Sequence, residues 1–468
     1  MDNDFHISVE LKQLISANQA FYHRIIPVNA TDGSIHFFSD VSNLSSLEAE
    51  LTILLDQTIT IEHQSKEVID SYLFKNYRKS SGAKNKNVSY SNNFLENLLN
   101  TSKDYGSSDI HLEPYENRCR VRLRLDGKLK EVFSIDPREY PQIINQIKIK
   151  ADLDISQKRL SQDGRISLKN QLEEFDIRVS TMPTLHGEKI VLRILQRDAS
   201  DINLDQLGFT SKELQTYLNG VTKPNGIVLL SGPTGSGKTT TLYGTLKHLN
   251  KETTNILTIE DPIEYTLEGI NQVQLKEDIG LTFPKALRTF LRQDPDIIMV
   301  GEIRDEKTAN MAIKAALTGH LVLSTIHTNS AWSTISRLMD MGIPSFLIAE
   351  TLNLSVAQRL IRRLCPNCKQ AIPCDNLEKE YQKVLPSDCK EIYTEVGCPH
   401  CFFTGYNGRI AIYEIISLDD HLRKAIKMND SLGGQGNSED LEITTLKMNA
   451  IRKVVDGTTT FEEITSFL

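Results

Sequence analysis

Short apolar runs punctuate the second half of the chain: IVLLS at 227–231, ILTI at 256–259, IIMV at 297–300 and LVLSTI at 321–326. Segments of helical periodicity separate them. Runs without alternating polar positions suit the strands of a parallel sheet covered on both faces, so residues 211–468 predict an α/β domain. Residues 93–198 read differently. After a short helix, FLENLLNTSKD, the segments DIHLEP, CRVRLRL, RISL, FDIRVS and KIVLRIL alternate apolar with polar positions, interrupted by the helical YPQIINQIKIKADL. That pattern predicts an α+β domain whose strands have one buried face. Residues 1–78 mix an amphipathic stretch, ISVELKQLISANQAF, with short runs such as SIHFF and a helical SLEAELTILL, as a small α+β module would. Polar, small residues at 79–92 read as a flexible linker, and residues 199–210 as a second, interdomain one.

A chain of 468 residues exceeds what one core usually organises, in keeping with several domains. The formal charge of −8 argues against a surface built for nucleic acid, while leaving room for a local basic patch. With no apolar run of about 18 residues and no charged-then-apolar start, the pattern predicts neither a membrane span nor a signal peptide. The expected location is therefore the cytosol. In CRVRLRL, Arg120, Arg122 and Arg124 fall on one strand face, either a solvated face or one that meets nucleotide or a neighbouring subunit.

The strand IVLLS runs into Gly232, Pro233, Thr234, Gly235, Ser236, Gly237, Lys238, Thr239 and Thr240, followed by a helical stretch. This is a phosphate-binding loop in its proper context. Glycines at 232, 235 and 237 let successive N–H groups wrap phosphate, Lys238 reaches the β- and γ-phosphates, and Thr239 offers a hydroxyl to Mg²⁺. The substrate it predicts is ATP. Three further clusters are expected at carboxyl ends of the apolar strands, where an open α/β sheet gathers ligands. They are Glu260, Asp261 and Glu264 in EDPIEY, Glu302, Arg304 and Asp305 in GEIRD, and His320 and His327 in GHLVLSTIHTN. Hydrolysis of a γ-phosphoryl group needs a carboxylate to orient water, and Mg²⁺ needs oxygen ligands, which makes Glu264 and Glu302 the candidate acids. His320 and His327 are either ordinary hydrogen-bonded histidines or sensors of the γ-phosphate.

In this order, GPTGSGKTT, TIEDPIEY, LRQDPDIIMVGEIRD and TGHLVLSTIHTN resemble the Walker A, Asp-box, Walker B and His-box motifs of the type II secretion and type IV pilus assembly ATPases. DYGSSDIHLEP, SQDGRI and VSTMPTLHGEKIVLRIL resemble that family's second N-terminal domain. The resemblance runs from about residue 93 to the end. It implies a RecA-like phosphate-loop motor domain preceded by an α+β, PAS-like middle domain and a small N-terminal module. It also implies a cytoplasmic homohexamer that turns ATP hydrolysis into work on an inner-membrane platform protein and a cytoplasmic-domain adaptor, touching the membrane only through protein partners. By motif position Glu264 and Glu302 correspond to the Asp-box and Walker B glutamates, with Glu260 at the nucleotide. Arg165, Arg178, Arg288, Arg292 and Arg409 fall where the family places phosphate- or interface-contacting arginines.

Cys365, Cys368, Cys398 and Cys401 form two C-x-x-C pairs flanking a 29-residue insert, able to hold one tetrahedral Zn²⁺ that closes residues 365–401 as a finger too small for its own core. A redox pair is the competing reading. Cys119, Cys374 and Cys389 lack partners at ligand spacing and read as plain residues. In the resembled family such a finger marks the assembly or secretion branch rather than retraction motors. Rival readings are a nucleic-acid motor on the same core, a motor for competence DNA uptake and a nucleotide-gated scaffold.

Overall fold

The computed structural model describes residues 11, 14–15, 17–31, 33–55, 57–76, 94–169, 174–196, 202–377, 379–428 and 444–467. The expected linker at 79–92 lies outside them, as does part of the one at 199–210. The chain forms two units: residues 1–194 with 365–370 and 395–407, and residues 195–364 with 371–394 and 408–468.

Two sheets make up the first unit. Strands β1 (Ile25–Thr31), β2 (Ser34–Ser39) and β3 (Thr58–His63) form one, with β1 antiparallel to β2 and β2 parallel to β3. Its core joins Ile25, Ile26 and Phe37 to Leu51 of the helix Leu44–Leu55 and to Ile69 and Leu73 of the helix Lys66–Asn76. The second sheet has β4 (Asp109–Pro114), β5 (Cys119–Leu125), β6 (Lys128–Ile135), β7 (Gln162–Lys169), β8 (Glu174–Thr184) and β9 (Gly187–Gln196), in the order β6-β5-β4-β9-β8-β7. Alternation sorts its residues as expected. Ile110, Leu112, Val121, Leu123, Ile177, Val179, Ile190 and Leu192 enter one core with the helices Phe94–Asp104 and Tyr140–Lys150.

The opposite face is charged, and its arginines are not simply solvated. Glu113 accepts from Arg120 and Arg122, at 2.7 Å each, and lies 3.2 Å from Lys189. Burial alone would raise the Glu113 carboxyl, but the hydrogen bonds from Arg122, Arg120 and Lys189 outweigh it and hold the group at about 2. Arg124 instead pairs with Asp109 at 3.2 Å, which also accepts from Arg193 at 2.9 Å.

In the second unit, β10 (Gly226–Ser231), β11 (Ile256–Glu260), β12 (Asn271–Gln274), β13 (Ile297–Val300), β14 (Leu321–Ile326), β15 (Leu352–Leu364) and, after a two-stranded β16 (Gln370–Pro373) and β17 (Glu391–Thr394), β18 (Tyr406–Ser417) include a seven-stranded sheet of order β12-β11-β13-β14-β10-β15-β18. β12 to β15 pair in parallel along it. Both faces are covered, which explains the apolar runs. Leu229, Ile259, Ile298 and Val322 join the core on one face, and Val228, Leu230, Met299 and Leu323 the core on the other. Fully burying one such side chain contributes roughly 1.5–3 kcal/mol.

Polar caps start the covering helices. Thr210 and Glu213 form a reciprocal capping box at Ser211–Val221, and Asp305 accepts from Thr308 N at 2.9 Å to cap Glu306–Leu317. Asp305 of the GEIRD cluster therefore has a structural task.

The middle of the insert between the two cysteine pairs packs on a core larger than its own. Leu385 and Ile392 are buried in the core of the second unit, where the Tyr381 ring lies 4.4 Å from that of Phe461. Leu377 and Val384 pack against the same core. Among the described residues no helix is long and apolar enough to cross a membrane.

Candidate functional site

The phosphate loop leaves the end of β10 and turns into the helix Lys238–Leu249. Gly232 has φ +147°, and a Cβ there would sit 2.5 Å from the Gln358 carbonyl oxygen, so only glycine fits so close to β15. Gly237 takes a left-handed φ of +86° to begin the helix, whose first N–H groups then face the loop. Lys238 is 9 % exposed, and its ammonium donates to the carbonyls of Gly232 (2.8 Å) and Pro233 (3.0 Å). Burial lowers its pKa, Glu302 opposes that, and Arg359 adds to it.

The loop borders a cavity of about 490 Å³. Thr234 through Thr240, Glu260, Glu264, Glu302, Arg304, His327 and Arg409 line it. Chains β11, β13 and β14 are parallel to β10, so the residues that follow them arrive at the same edge. Glu302 Oε1 is held by Arg304, while its other oxygen, Oε2, is buried without a hydrogen-bond donor, the nearest being His327 Nε2 at 3.4 Å. Ser236 Oγ inside the loop is likewise buried and unpaired. Buried polar atoms are normally satisfied, so an acceptor and a hydroxyl left open in one cavity fit a site completed by phosphate and its Mg²⁺. The Thr239 hydroxyl and the open Glu302 oxygen, the latter through water, are the groups here suited to hold that metal.

Glu260 lines the cavity but is committed to the fold. Its carboxylate accepts from Thr258 Oγ1 (2.6 Å), Gln272 Nε2 (3.1 Å) and the Tyr243 hydroxyl, which in turn accepts from Glu264 N at 3.3 Å. Tyr243 thereby fixes the chain that carries Glu264. Other candidates are not brought to this cavity. His320 precedes β14 and its Nδ1 lies 2.9 Å from the Ala315 oxygen, at the amino end of the strand. Six residues of strand span about 20 Å, so it stands at the opposite end of the strand from His327, hydrogen-bonded as the plainer of its two readings has it. Arg288 and Arg292 are exposed around the end of Phe283–Phe290, outside the lining.

Arg165 and Arg178 belong to the first unit. They are direct cross-strand partners on β7 and β8 and line a concavity of about 450 Å³ with Asp163 and Arg193. Like charges directly opposite are unfavourable unless an anion compensates.

The sequence reading missed two residues of β15. Gln358, 1 % exposed, donates to Ser236 O at 2.9 Å and accepts from Thr241 Oγ1 at 2.9 Å, tying the loop to its helix. Arg359 donates to Asn329 O at 2.9 Å beside Gly232. Their only signal was a polar pair interrupting an apolar strand.

The four cysteines of the two C-x-x-C pairs converge with their sulfurs within 4.8 Å of one another. Cys365–Cys398 is 3.8 Å, Cys368–Cys401 3.7 Å and Cys398–Cys401 3.7 Å. Zn–S bonds of about 2.3 Å give tetrahedron edges of about 3.8 Å, so the cluster has the dimensions of a zinc site. Burial would raise the Cys401 thiol, but the amides of Cys398 and Gly405 bond its sulfur and bring it below its ordinary value.

Comparison with known proteins places these features in company. Residues 84–466 match the family described as type II/IV secretion system protein. The type IV pilus assembly ATPase PilB of Myxococcus xanthus is 40 % identical over 98 % of this chain and 87 % of its own length. Type II secretion system protein E of Pseudomonas aeruginosa is 48 % identical over 76 % of this chain and 71 % of its own. Among solved structures, the pilus retraction motor PilT with bound ADP is similar at 25 % identity and a TM-score of 0.53, over 79 % of this chain and 95 % of that one. The ATPase DotB of Legionella pneumophila shares the fold at 20 % identity and a TM-score of 0.61, over 81 % and 96 %.

Two outcomes follow from the geometry. Gln358→Ala strands a buried carbonyl and hydroxyl at about 1–3 kcal/mol each, and is expected to weaken binding of a fluorescent ADP roughly tenfold while the protein stays folded; unchanged affinity would show that the loop holds its shape without β15. Metal analysis of protein purified without chelators is expected to find about one zinc per chain, lost in a Cys365→Ser, Cys398→Ser double variant. Zinc retained by that variant would remove the cluster as its ligand.

Proposed function

The chain belongs to the type II/IV secretion system protein family, and on that premise we propose that it is the ATP-hydrolysing motor of a type II secretion or type IV pilus assembly machine. The observation that carries the proposal is the meeting of the phosphate loop with the open oxygen of Glu302 in one cavity. Lys238, parked on the loop carbonyls, exchanges these for phosphate oxygens as ATP enters. Glu302 Oε2 accepts a hydrogen bond from the attacking water and orients it toward the γ-phosphoryl group, with Glu264 beside it and His327 placed to register loss of that group. Thr239 and, through water, Glu302 would hold Mg²⁺, which would supply neutralisation of the charge developing on the phosphates. Glu260 acts through Tyr243 as a positioning residue.

The opposed Arg165 and Arg178 support a ring. Two guanidinium groups facing each other across β7 and β8 suit the nucleotide edge of a motor domain, and a guanidinium on the transferring phosphoryl is worth roughly 10³–10⁵ in rate. In a homohexamer each chain supplies such groups, with Arg288, Arg292 and Arg409 along the subunit edges. The four-thiolate cluster holds structural Zn²⁺ and supports the assembly branch. The motor works in the cytoplasm, attached at the inner membrane through the platform protein and an adaptor.

Within the expected module at 1–78 the described residues have a sheet and core of their own, which suits a recruitment module.

Lys238→Ala is expected to weaken ATP binding and abolish turnover, because it contacts phosphate in both ground and transition states. Glu302→Gln is expected to bind ATP nearly as wild type yet lose at least about 10²-fold in rate. Phosphate release and nucleotide titration separate the two, and near-normal turnover in Glu302→Gln would refute the assignment. Removing residues 1–80 is expected to leave basal hydrolysis and move the protein out of the membrane fraction; a truncated protein that stays at the membrane and supports assembly would end the recruitment reading.

A further inference from the structure

Cys374 and Cys389 belong neither to the four-cysteine cluster nor to the nucleotide cavity, and neither has a partner at ligand spacing along the chain. The fold makes them each other's partner. Cys374 follows β16 and Cys389 lies just before β17; the Cys374 amide donates to Lys390 O at 3.0 Å, locking the two segments side by side, and the sulfurs are 3.0 Å apart. Both are half-buried at the neck of a turn whose Leu377, Tyr381 and Val384 pack on the core of the second unit.

Distance decides what such a pair can be. Two thiolates on one zinc should stand about 3.8 Å apart, as in the four-cysteine cluster, so a 3.0 Å separation is too short for shared metal ligation. Among the described residues, moreover, the only group of three or more potential ligands is that cluster. A disulfide needs about 2.05 Å, which small side-chain rotations reach from this position.

We propose that Cys374 and Cys389 form a reversible dithiol–disulfide pair, oxidised by a low-molecular-weight disulfide such as glutathione disulfide, that staples the neck of the insert. One protein thiolate attacks a sulfur of glutathione disulfide, expelling one glutathione thiolate and leaving a mixed disulfide. The second protein thiolate then attacks the protein sulfur of that mixed disulfide and expels the other glutathione. Two electrons pass from the protein pair to glutathione disulfide, and the two protons end on the two glutathione thiols. Burial, with Cys389 alongside, pushes the Cys374 thiol up to about 12, which slows its reaction with isolated reagents. Closure is favoured instead by proximity, since the second attack is intramolecular. The staple would hold the Leu377–Val384 turn on the core while leaving the zinc thiolates bound.

The test uses the full, zinc-loaded chain, equilibrated with mixtures of oxidised and reduced glutathione, acid-quenched, denatured with a chelator, alkylated with N-ethylmaleimide and read by peptide mass spectrometry. The expected result is a linked peptide joining Cys374 to Cys389, with alkylatable thiols falling by two from seven, zinc content unchanged, and full reversal by dithiothreitol. Cys389→Ser is expected to abolish the link and leave Cys374 as a glutathione mixed disulfide or a thiol. A Cys374→Ser, Cys389→Ser variant with the thermal midpoint of the reduced wild type shows that these variants fold. Absence of the linked peptide at every glutathione ratio, links formed only among Cys365, Cys368, Cys398 and Cys401, or zinc lost from the double variant would each overturn the proposal.

Discussion

The chemistry of the second unit depends on one constraint, the close approach of β15 to the phosphate loop. At Gly232 the strand's backbone comes so near that a single Cβ would collide with the Gln358 carbonyl, and the Gln358 side chain then spans from Ser236 to Thr241. The loop is therefore shaped from outside, by backbone and one amide, rather than by packing of its own small side chains. A loop so held can point its N–H groups inward before phosphate arrives, which lowers the ordering cost that binding would otherwise carry. The parallel pairing of β10 with β14 and β15 makes the approach possible, and the same pairing, extended through β13 and β11, brings Glu302, Glu264 and His327 to the same edge.

What the sequence made legible was local. Apolar runs read correctly as strands covered on both faces because burial on two sides leaves no alternation, and the glycine loop read correctly because its spacing encodes a backbone shape. The four thiolates were legible because two short spacings suffice. Direction along a strand was not. His320 and His327 bracket the same six residues, and only the parallel order of the sheet decides that one faces the loop and the other the far edge. Cross-strand facts were equally hidden: that Glu113 lies between Arg120 and Arg122, that Arg165 opposes Arg178, and that a hairpin brings Cys374 to Cys389. Each depends on register between separate segments, where no periodicity within one segment carries information. Gln358 belongs to the same class, since its partners lie 117 and 122 residues away.

The insert shows how one stretch of chain serves two units. Its ends, with the paired cysteines, belong to the first unit, where the Tyr105 ring packs on Phe402 at 3.9 Å and Lys130 donates to the Phe402 oxygen. Its middle belongs to the second, held by Leu385, Ile392 and the Tyr381–Phe461 contact. Four thiolates brought together at tetrahedral spacing unite the two ends, which would otherwise have only short turns to hold them.

That division matters because of where the chain crosses. β15 carries Gln358 at the phosphate loop and, seven residues on, hands over to Cys365 in the thiolate cluster. Its pairing with β10 ends at Ala357, so Gln358 is the first residue of β15 past that ladder, where the phosphate loop leaves β10. The amide that shapes the loop therefore sits on the same strand whose end precedes the first cysteine. Placing the clamp on β15, rather than on any of the strands that end at the cavity, leaves the ends of β11, β13 and β14 free to carry Glu264, Glu302 and His327.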